Sequence, residues 1–315
     1  MEKDSKIYVA GHEGMVGSAL VRNLKKNNYS NIINRTRTEL DLMNQEKTKK
    51  FFFMEKPDYV FIAAAKVGGI LANSLYKGQF LYENLLIQNN LIHFAHEIGV
   101  KKLMFFGSAC IYPKNIPQPI NEEALLNGAL EPSNEPYAIA KIAGIKLCQS
   151  YYCQYGDNFI SVIPNNLYGP NDNFDLENSH VIPAIIRKIH EAKINSLKNV
   201  EIWGTGSPFR EFLHVDDLAD SAIFLIKNLE AKELYDEQIS HINIGSGEEI
   251  SIKELAILIK EIIDFDGDLT FNRNMPDGMK RKLLDTSRLN KLGWRSQISL
   301  NDGIQSVYSW YKSQN

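Results

Sequence analysis

The stretch KIYVAGHEGMVGSALVRNLKKN (6–27) decides the fold. An apolar run, KIYVAG, reads as a buried strand, and MVGSALVRNLKKN reads as an amphipathic helix. Between them Gly11, Gly14 and Gly17 recur at a spacing of three. A glycine-rich turn from a strand into a helix brings backbone close to a pyrophosphate. It also aims the helix's free N–H groups and positive dipole end at that anion. A tight turn alone could use the same glycines, but the strand–turn–helix context is the one a dinucleotide site requires.

Outward from this unit, short β-rich runs alternate with longer amphipathic ones. NIINRT (31–36), YVFIAAA (59–65), KLMFFGS (102–108) and ISVIPNNLYG (160–169) read as strands. QEKTKKFFFMEK (45–56), LYENLLIQNNLIHFAHEIG (81–99) and YAIAKIAGIKLCQSYYCQYG (137–156) read as helices. That alternation predicts an α/β fold with a doubly wound parallel sheet of the Rossmann type. After Gly169 the pattern loosens into a smaller α/β C-terminal substrate lobe. HVIPAIIRKIHEAK (180–193) and SIKELAILIKEIID (251–264) read as helices there, and EIWGTGSPFREFLHV (201–215) as irregular. DDLADSAIFLIKNLE reads as a helix capped by Asp216 or Asp217. We assign 1–166 and 211–245 to the dinucleotide-binding domain, and 167–210 and 246–315 to the substrate lobe.

Composition excludes several classes. In 315 residues, 35 basic and 38 acidic side chains leave a net charge of −3 with no basic stripe, which argues against nucleic acid. No window approaches the length of a membrane span, and no signal pattern opens the chain. Cys110, Cys148 and Cys153 are too few for a disulfide framework and lack metal-ligand spacing, so a cytoplasmic protein without a metal is expected. Cys148 and Cys153 read as packing residues.

The chemistry lies in NEPYAIAKIAGIKL (134–147) and KKLMFFGSACIY (101–112). Tyr137 and Lys141, four apart on a helix, project from one face. A Lys ammonium beside a phenol favours the phenolate, and the Ser108 hydroxyl can hydrogen-bond a carbonyl. A carbonyl carbon that gains hydride needs a proton on its oxygen, and this set supplies it. The end of the second strand, INRTRTELDL (33–42), carries Arg35 and Arg37 where a 2′-phosphate would sit, which favours NADP(H) over NAD(H). Glu39 and Asp41 nearby weigh the other way.

With AAAKVGG (63–69), GSACIYP (107–113), PYAIAK (136–141), NLYGP (166–170), NSHVIPA (178–184), REFLHVDD (210–217) and PDG…RKLLD (276–285) in order, the chain resembles the extended short-chain dehydrogenase/reductases. Within them it is similar to the GDP-L-fucose synthase family over its whole length. The resemblance implies an NADPH-dependent C4 reductase of a GDP-4-keto-6-deoxyhexose that also epimerises C3 and C5. Tyr137 would then be the acid at the C4 oxygen, Lys141 the residue holding the nicotinamide ribose, and Ser108 the group orienting the carbonyl. Cys110 would be the epimerisation base and His180 the opposing acid. Implied cofactor contacts are Gly11, Gly14, Met15, Val16 and Gly17 in the turn, and Arg37, Asp41 and Leu42 after the second strand. Ala64, Ala65, Lys141, Asn165 and His180 complete them. Lys188, Arg210 and Lys282 would meet the GDP-sugar's diphosphate, Trp203 its base, and Asp277 its polar edge. Lys188 and Glu13 depart from relatives that carry Arg at those places. The resemblance also implies a homodimer, with helices 81–98 and 137–155 paired in a four-helix bundle.

Other readings stay open at this stage. A reductase without epimerase activity acting on a GDP-4-keto-heptose would need only a roomier pocket. A nucleotide-sugar dehydratase would carry an Asp-Glu pair where this chain has Ala109 and Cys110. A 4-epimerase would recycle its nicotinamide, and a silent dinucleotide sensor would usually lose the Tyr or Lys.

Overall fold

Five short strands open the chain: β1 (Ile7–Ala10), β2 (Ile32–Ile33), β3 (Tyr59–Ile62), β4 (Lys102–Phe106) and β5 (Phe159–Pro164). The later strands are β6 (Asn166–Tyr168), β7 (Asn199–Trp203), β8 (Phe209–His214), β9 (Ile242–Ile244), β10 (Glu249–Ser251), β11 (Asp268–Asn272) and β12 (Arg281–Lys282). The helices of the first half are α1 (Met15–Lys26), α2 (Gln45–Glu55), α3 (Ile70–Leu75), α4 (Lys77–Glu97) and α5 (Glu135–Tyr155). They continue as α6 (Val181–Ile194), α7 (Val215–Asn228), α8 (Ala231–Tyr235), α9 (Ile252–Ile263), α10 (Ser287–Lys291) and α11 (Leu300–Gln314). This computed structural model describes residues 1–176, 179–275 and 277–314. Asn178 and Pro276, each the first residue of a motif quoted above, lie outside the described residues.

Six strands form one parallel sheet in the order β2-β1-β3-β4-β5-β9. β1, β4 and β5 are buried along their whole length, as continuous apolar runs must be when helices cover both faces. The doubly wound sheet expected from the alternation is therefore present. Its order reverses between β1 and β3, and the crevice at the carboxyl ends of such strands is where α/β sheets take ligands. One apolar cluster packs α1 and α7 against the sheet, and another packs α2, α4 and α5. The close approach of α5 needs Gly144, because a Cβ there would run into the Phe105 ring. The Gln88 side chain locks the α4–α5 pair by donating to the Ala140 carbonyl at 2.6 Å.

A third cluster, on α6, α9 and α11, supports a smaller region built on β8. β10 and β12 flank β8, and β6 also pairs with it in parallel. Here the sequence expectation needs correction. EIWGTGSPFREFLHV is not irregular: it forms most of β7 and all of β8, joined through Gly204 and Gly206, both at positive φ. The cap of α7 also differs. The His214 ring accepts from the Asp216 N–H at 3.2 Å, while Asp217 turns inward to accept from the Gln297 and Ile298 N–H groups. Cys148 is buried as expected, but Cys153 is exposed. Among the described residues no helix is long and apolar enough to cross a membrane.

Candidate active site

The glycine turn leaves β1 at the reversal of strand order. Gly11 sits at φ +83°, and a Cβ there would lie 2.7 Å from the Ala64 backbone at the end of β3. A Cβ on Gly17 would overlap the Gly11 carbonyl. Gly14 caps α1 with no side-chain bond, and the first turn carries no acidic residue. The first-turn N–H groups, those of Met15, Val16 and Gly17 among them, thus keep no partner within the helix. A cradle that excludes side chains and offers free donors fits a dinucleotide pyrophosphate.

After β2, the two arginines part company. Arg35 pairs with Glu55 at 2.6 Å and lies over the Phe51 ring. Arg37 is exposed and makes no hydrogen bond or ion pair among the described residues. Glu39 folds back to accept from Thr36, Asp41 accepts from the Met43 N–H, and the Leu42 carbonyl accepts from Asn90. The carboxylates that weighed against NADP are therefore turned into their own loop. His12 keeps a buried Nδ1 without a partner, and Glu13 points to solvent.

Ser108 and Cys110 follow the carboxyl end of β4. Ser108 caps a short 3₁₀ turn over Ala109–Ile111 and so holds Cys110 inward, buried. One turn of α5 presents Tyr137 and Lys141, with Pro136 in the first turn of the helix. Phe80 meets the Tyr137 ring edge-on, with centroids 6.2 Å apart. The Lys141 ammonium donates to the Phe106 carbonyl at 2.8 Å and lies 5.8 Å from the centre of the Tyr137 ring. Burial pushes the phenol well above its usual range, with the Cys110 sulfur adding to the rise and Ser108 pulling it back. Burial lowers Lys141 to about 8, against which the Cys110 sulfur acts. The expected lowering of the Tyr pKa by Lys141 is thus not seen in the protein alone, where burial dominates both groups.

Burial governs Cys110 in the same way. Burial raises its thiol, and Lys282, a hydrogen bond from Ser108, and Lys141 act in the opposite direction. Lys282 is the strongest of these, a link that distance in sequence conceals. His180 caps α6 and faces Asp172, 3.8 Å from its carboxylate, with 55% of the side chain exposed. The nearby Asp172 carboxylate raises the imidazole pKa, and burial acts against it. No hydrogen bond or ion pair joins His180 to Cys110 among the described residues.

Arg210 and Lys282 are register partners on the parallel strands β8 and β12. Burial lowers both; Asp277 acts against this on Arg210, while on Lys282 the Cys110 sulfur acts against it and Arg210 adds to it. Arg210 donates to the Phe209 and Asp277 carbonyls. Asp277 accepts from the Thr205 N–H and hydroxyl. Lys188 stands 5.0 Å over the exposed Trp203 ring and donates to the Glu201 carbonyl. Asn165 is buried and its amide goes to Glu211 and the Lys282 carbonyl, so it braces the site from beneath.

The structure therefore gathers a hydroxyl, a phenol, an ammonium and a thiol at one sheet edge, with two further cations on strands beside it. Such a set can protonate a carbonyl oxygen and abstract a proton from the neighbouring carbon. The comparisons agree with this chemistry. Residues 7–245 match the model of the NAD dependent epimerase/dehydratase family. GDP-L-fucose synthase 1 of Arabidopsis thaliana is 56% identical over 310 residues, 98% of this chain and 94% of that protein. A GDP-6-OMe-4-keto-L-xylo-heptose reductase from C. jejuni superposes with a TM-score of 0.95 at 45% identity, covering 100% of this chain and 99% of that one. A GDP-mannoheptose C4 reductase from Campylobacter jejuni with NADP bound gives 0.91 at 45%, covering 99% of each. The chain belongs to the NAD dependent epimerase/dehydratase family, within the extended short-chain dehydrogenase/reductases.

Proposed function

We propose that the protein epimerises C3 and C5 of a GDP-4-keto-6-deoxyhexose and reduces C4 with NADPH. The observation that carries this reading is the Cys110 thiol set among Ser108, Tyr137, Lys141 and Lys282. Carbonyl reduction alone needs no thiol. A base beside a 4-ketone has protons at C3 and C5 to remove, because the ketone stabilises the enolate. NADPH, when bound, supplies the hydride taken up at C4. Tyr137 gives its phenol proton to the C4 oxygen, which Ser108 orients by hydrogen bonding. Lys141 holds the nicotinamide ribose. The Cys110 thiolate removes the proton at C3 or C5, and protonated His180 returns one on the opposite face.

Gly11, Gly14, Met15, Val16 and Gly17 hold the pyrophosphate, and the unpartnered Arg37 takes the 2′-phosphate. Asp41, Leu42, Ala64 and Ala65 line the rest of the cofactor cleft, with Asn165 beneath, bracing the Lys282 segment. Arg210 and Lys282 take the substrate diphosphate, with Trp203 against the base and Lys188 and Asp277 around it. Support for the hexose comes from the higher identity to the fucose synthase than to the heptose reductases. The TM-score of 0.95 favours the second reading, reduction of a GDP-4-keto-heptose without epimerisation. Exposed Tyr82, Ile139 and Tyr155 on α4 and α5 support pairing of these helices in a homodimer. Three free thiols, one of them exposed, suit a reducing cytoplasm.

The test incubates the protein with NADPH and GDP-4-keto-6-deoxymannose in D₂O. The expected NMR spectrum shows deuterium at C3 and C5 and a reduced C4. No NADPH oxidation with this sugar but turnover of a 4-keto-heptose would favour the second reading. Turnover of neither would overturn both.

A further inference from the structure

Glu211 has no solvent exposure, and no cation pairs with its carboxylate among the described residues. N–H donors from three separate segments converge on it instead. One oxygen accepts from the Gly247 N–H at 2.7 Å, just beyond β9. The other accepts from the Leu284 N–H at 3.1 Å and from the Asn165 amide at the end of β5. A Cβ on Gly245 would overlap this carboxylate, so the glycine admits it. Every partner is a donor. A protonated Glu211 would turn an O–H toward an N–H, so the ionised form is the one that matches the site.

The consequence falls on Lys282. Leu284 is two residues beyond it, and the Asn165 amide reaches the Lys282 carbonyl as well. On its other side the segment is held by Ile120, whose N–H donates to the Leu283 carbonyl and whose carbonyl accepts from the Asp285 N–H. Arg210 immediately precedes Glu211 on β8, so strand alternation puts their side chains on opposite faces. Arg210 and Lys282 share a register position and hence a face. We infer that Glu211 is a positioning residue, whose buried carboxylate fixes segment 282–284 and thereby sets Lys282 beside Arg210 as a two-cation fork for a nucleoside diphosphate.

The inference rests on the GDP-sugar reading for what the fork holds. The test therefore measures GDP and NADPH binding separately on the full-length protein. Glu211→Gln keeps the size but sets an NH₂ group against the Asn165 and Leu284 donors. The expected result is GDP affinity about tenfold weaker, NADPH affinity within about twofold of wild type, and faster amide exchange confined to 282–285. Unchanged GDP affinity in Glu211→Gln, with a loss in Lys282→Met, overturns the inference alone. Unchanged GDP affinity in Lys282→Met overturns the diphosphate reading and the inference with it. Parallel losses of GDP and NADPH affinity in Glu211→Gln mark a general structural role and also overturn it. Should Glu211→Gln not fold, Gly245→Ala displaces the same carboxylate and carries the same expected split.

Discussion

The Lys141 ammonium donates to the Phe106 carbonyl at 2.8 Å and stands 5.8 Å from the centre of the Tyr137 ring. The two residues share a helix face, yet burial governs each separately: the phenol stays protonated and the ammonium is held at about 8. A protonated phenol is the form that an acid needs. Tyr137→Phe is expected to lower NADPH-linked turnover by about 10²- to 10⁴-fold with an unchanged melting temperature. Near-normal turnover would remove Tyr137 from the acid role. Lys141 carries its charge below its pKa, so kcat/KM for NADPH should fall as pH rises through about 8. That limb should vanish in Lys141→Met, and its survival there would assign it to another group.

Cys110 is raised by burial and opposed chiefly by Lys282, so the thiol is the resting form and the thiolate grows in as pH rises. Deuterium entry at C3 and C5 should therefore increase with pH. Cys110→Ser should cut that exchange by about 10²-fold or more while the folded protein still binds NADPH. Exchange at the wild-type rate in Cys110→Ser would leave Cys110 structural.

Much of this site was legible because its signals are local. Gly11, Gly14 and Gly17 lie in one turn, and Tyr137 and Lys141 in one helical turn, so spacing alone places them. The alternation of IYVA, YVFI and KLMFF with amphipathic helices is likewise a local pattern, and it predicted the parallel sheet. What escaped depends on pairing across the chain. β7 and β8 were missed because Gly204, Gly206 and Pro208 interrupt a stretch whose edges are polar, and their partners β11, β10 and β12 come much later. The effect of Lys282 on Cys110 likewise depends on packing between segments far apart in sequence. Nor does spacing show that Lys141 would bond Phe106, since that contact depends on how closely α5 packs on β4.

His180 faces Asp172, and the carboxylate raises its pKa above the ordinary value. A histidine raised on folding holds its charge-assisted contact fully below the unfolded pKa, and loses it as pH rises through the folded one. NMR titration of His180 should give a pKa above 6.5, and Asp172→Asn should lower it. Equal values in the two proteins would break the link.

Arg37 is exposed and unpartnered among the described residues, whereas Arg35 is bound to Glu55. Only the first is available to an added phosphate. Arg37→Ser is expected to weaken NADPH binding about 10- to 100-fold, the range of a lost hydrogen bond to a charged group, and to leave NADH nearly unchanged. Arg35→Ser should instead lower thermal stability with little change in the NADPH-to-NADH ratio. A reversal of these two results would exchange their roles.

Glu122 is a buried carboxylate beneath the sheet edge, accepting from the Asn243 N–H at 3.0 Å with Arg288 3.5 Å away. Burial outweighs those contacts and raises its pKa from 4.5 to about 7. The folded protein thus keeps a proton that the unfolded chain has already released between those two values. Stability should fall as pH rises across that window, by up to ~3 kcal/mol if no other group offsets it. Below the window both states hold the proton, and above it both have lost it, so the slope belongs to the interval alone. Glu122→Gln keeps an acceptor for Asn243 and cannot ionise, so its stability should be flat where the wild type declines. Denaturant unfolding at pH 5 and pH 8 measures this directly. The variant's advantage should widen toward pH 8, and a constant difference at the two pH values would place the slope elsewhere.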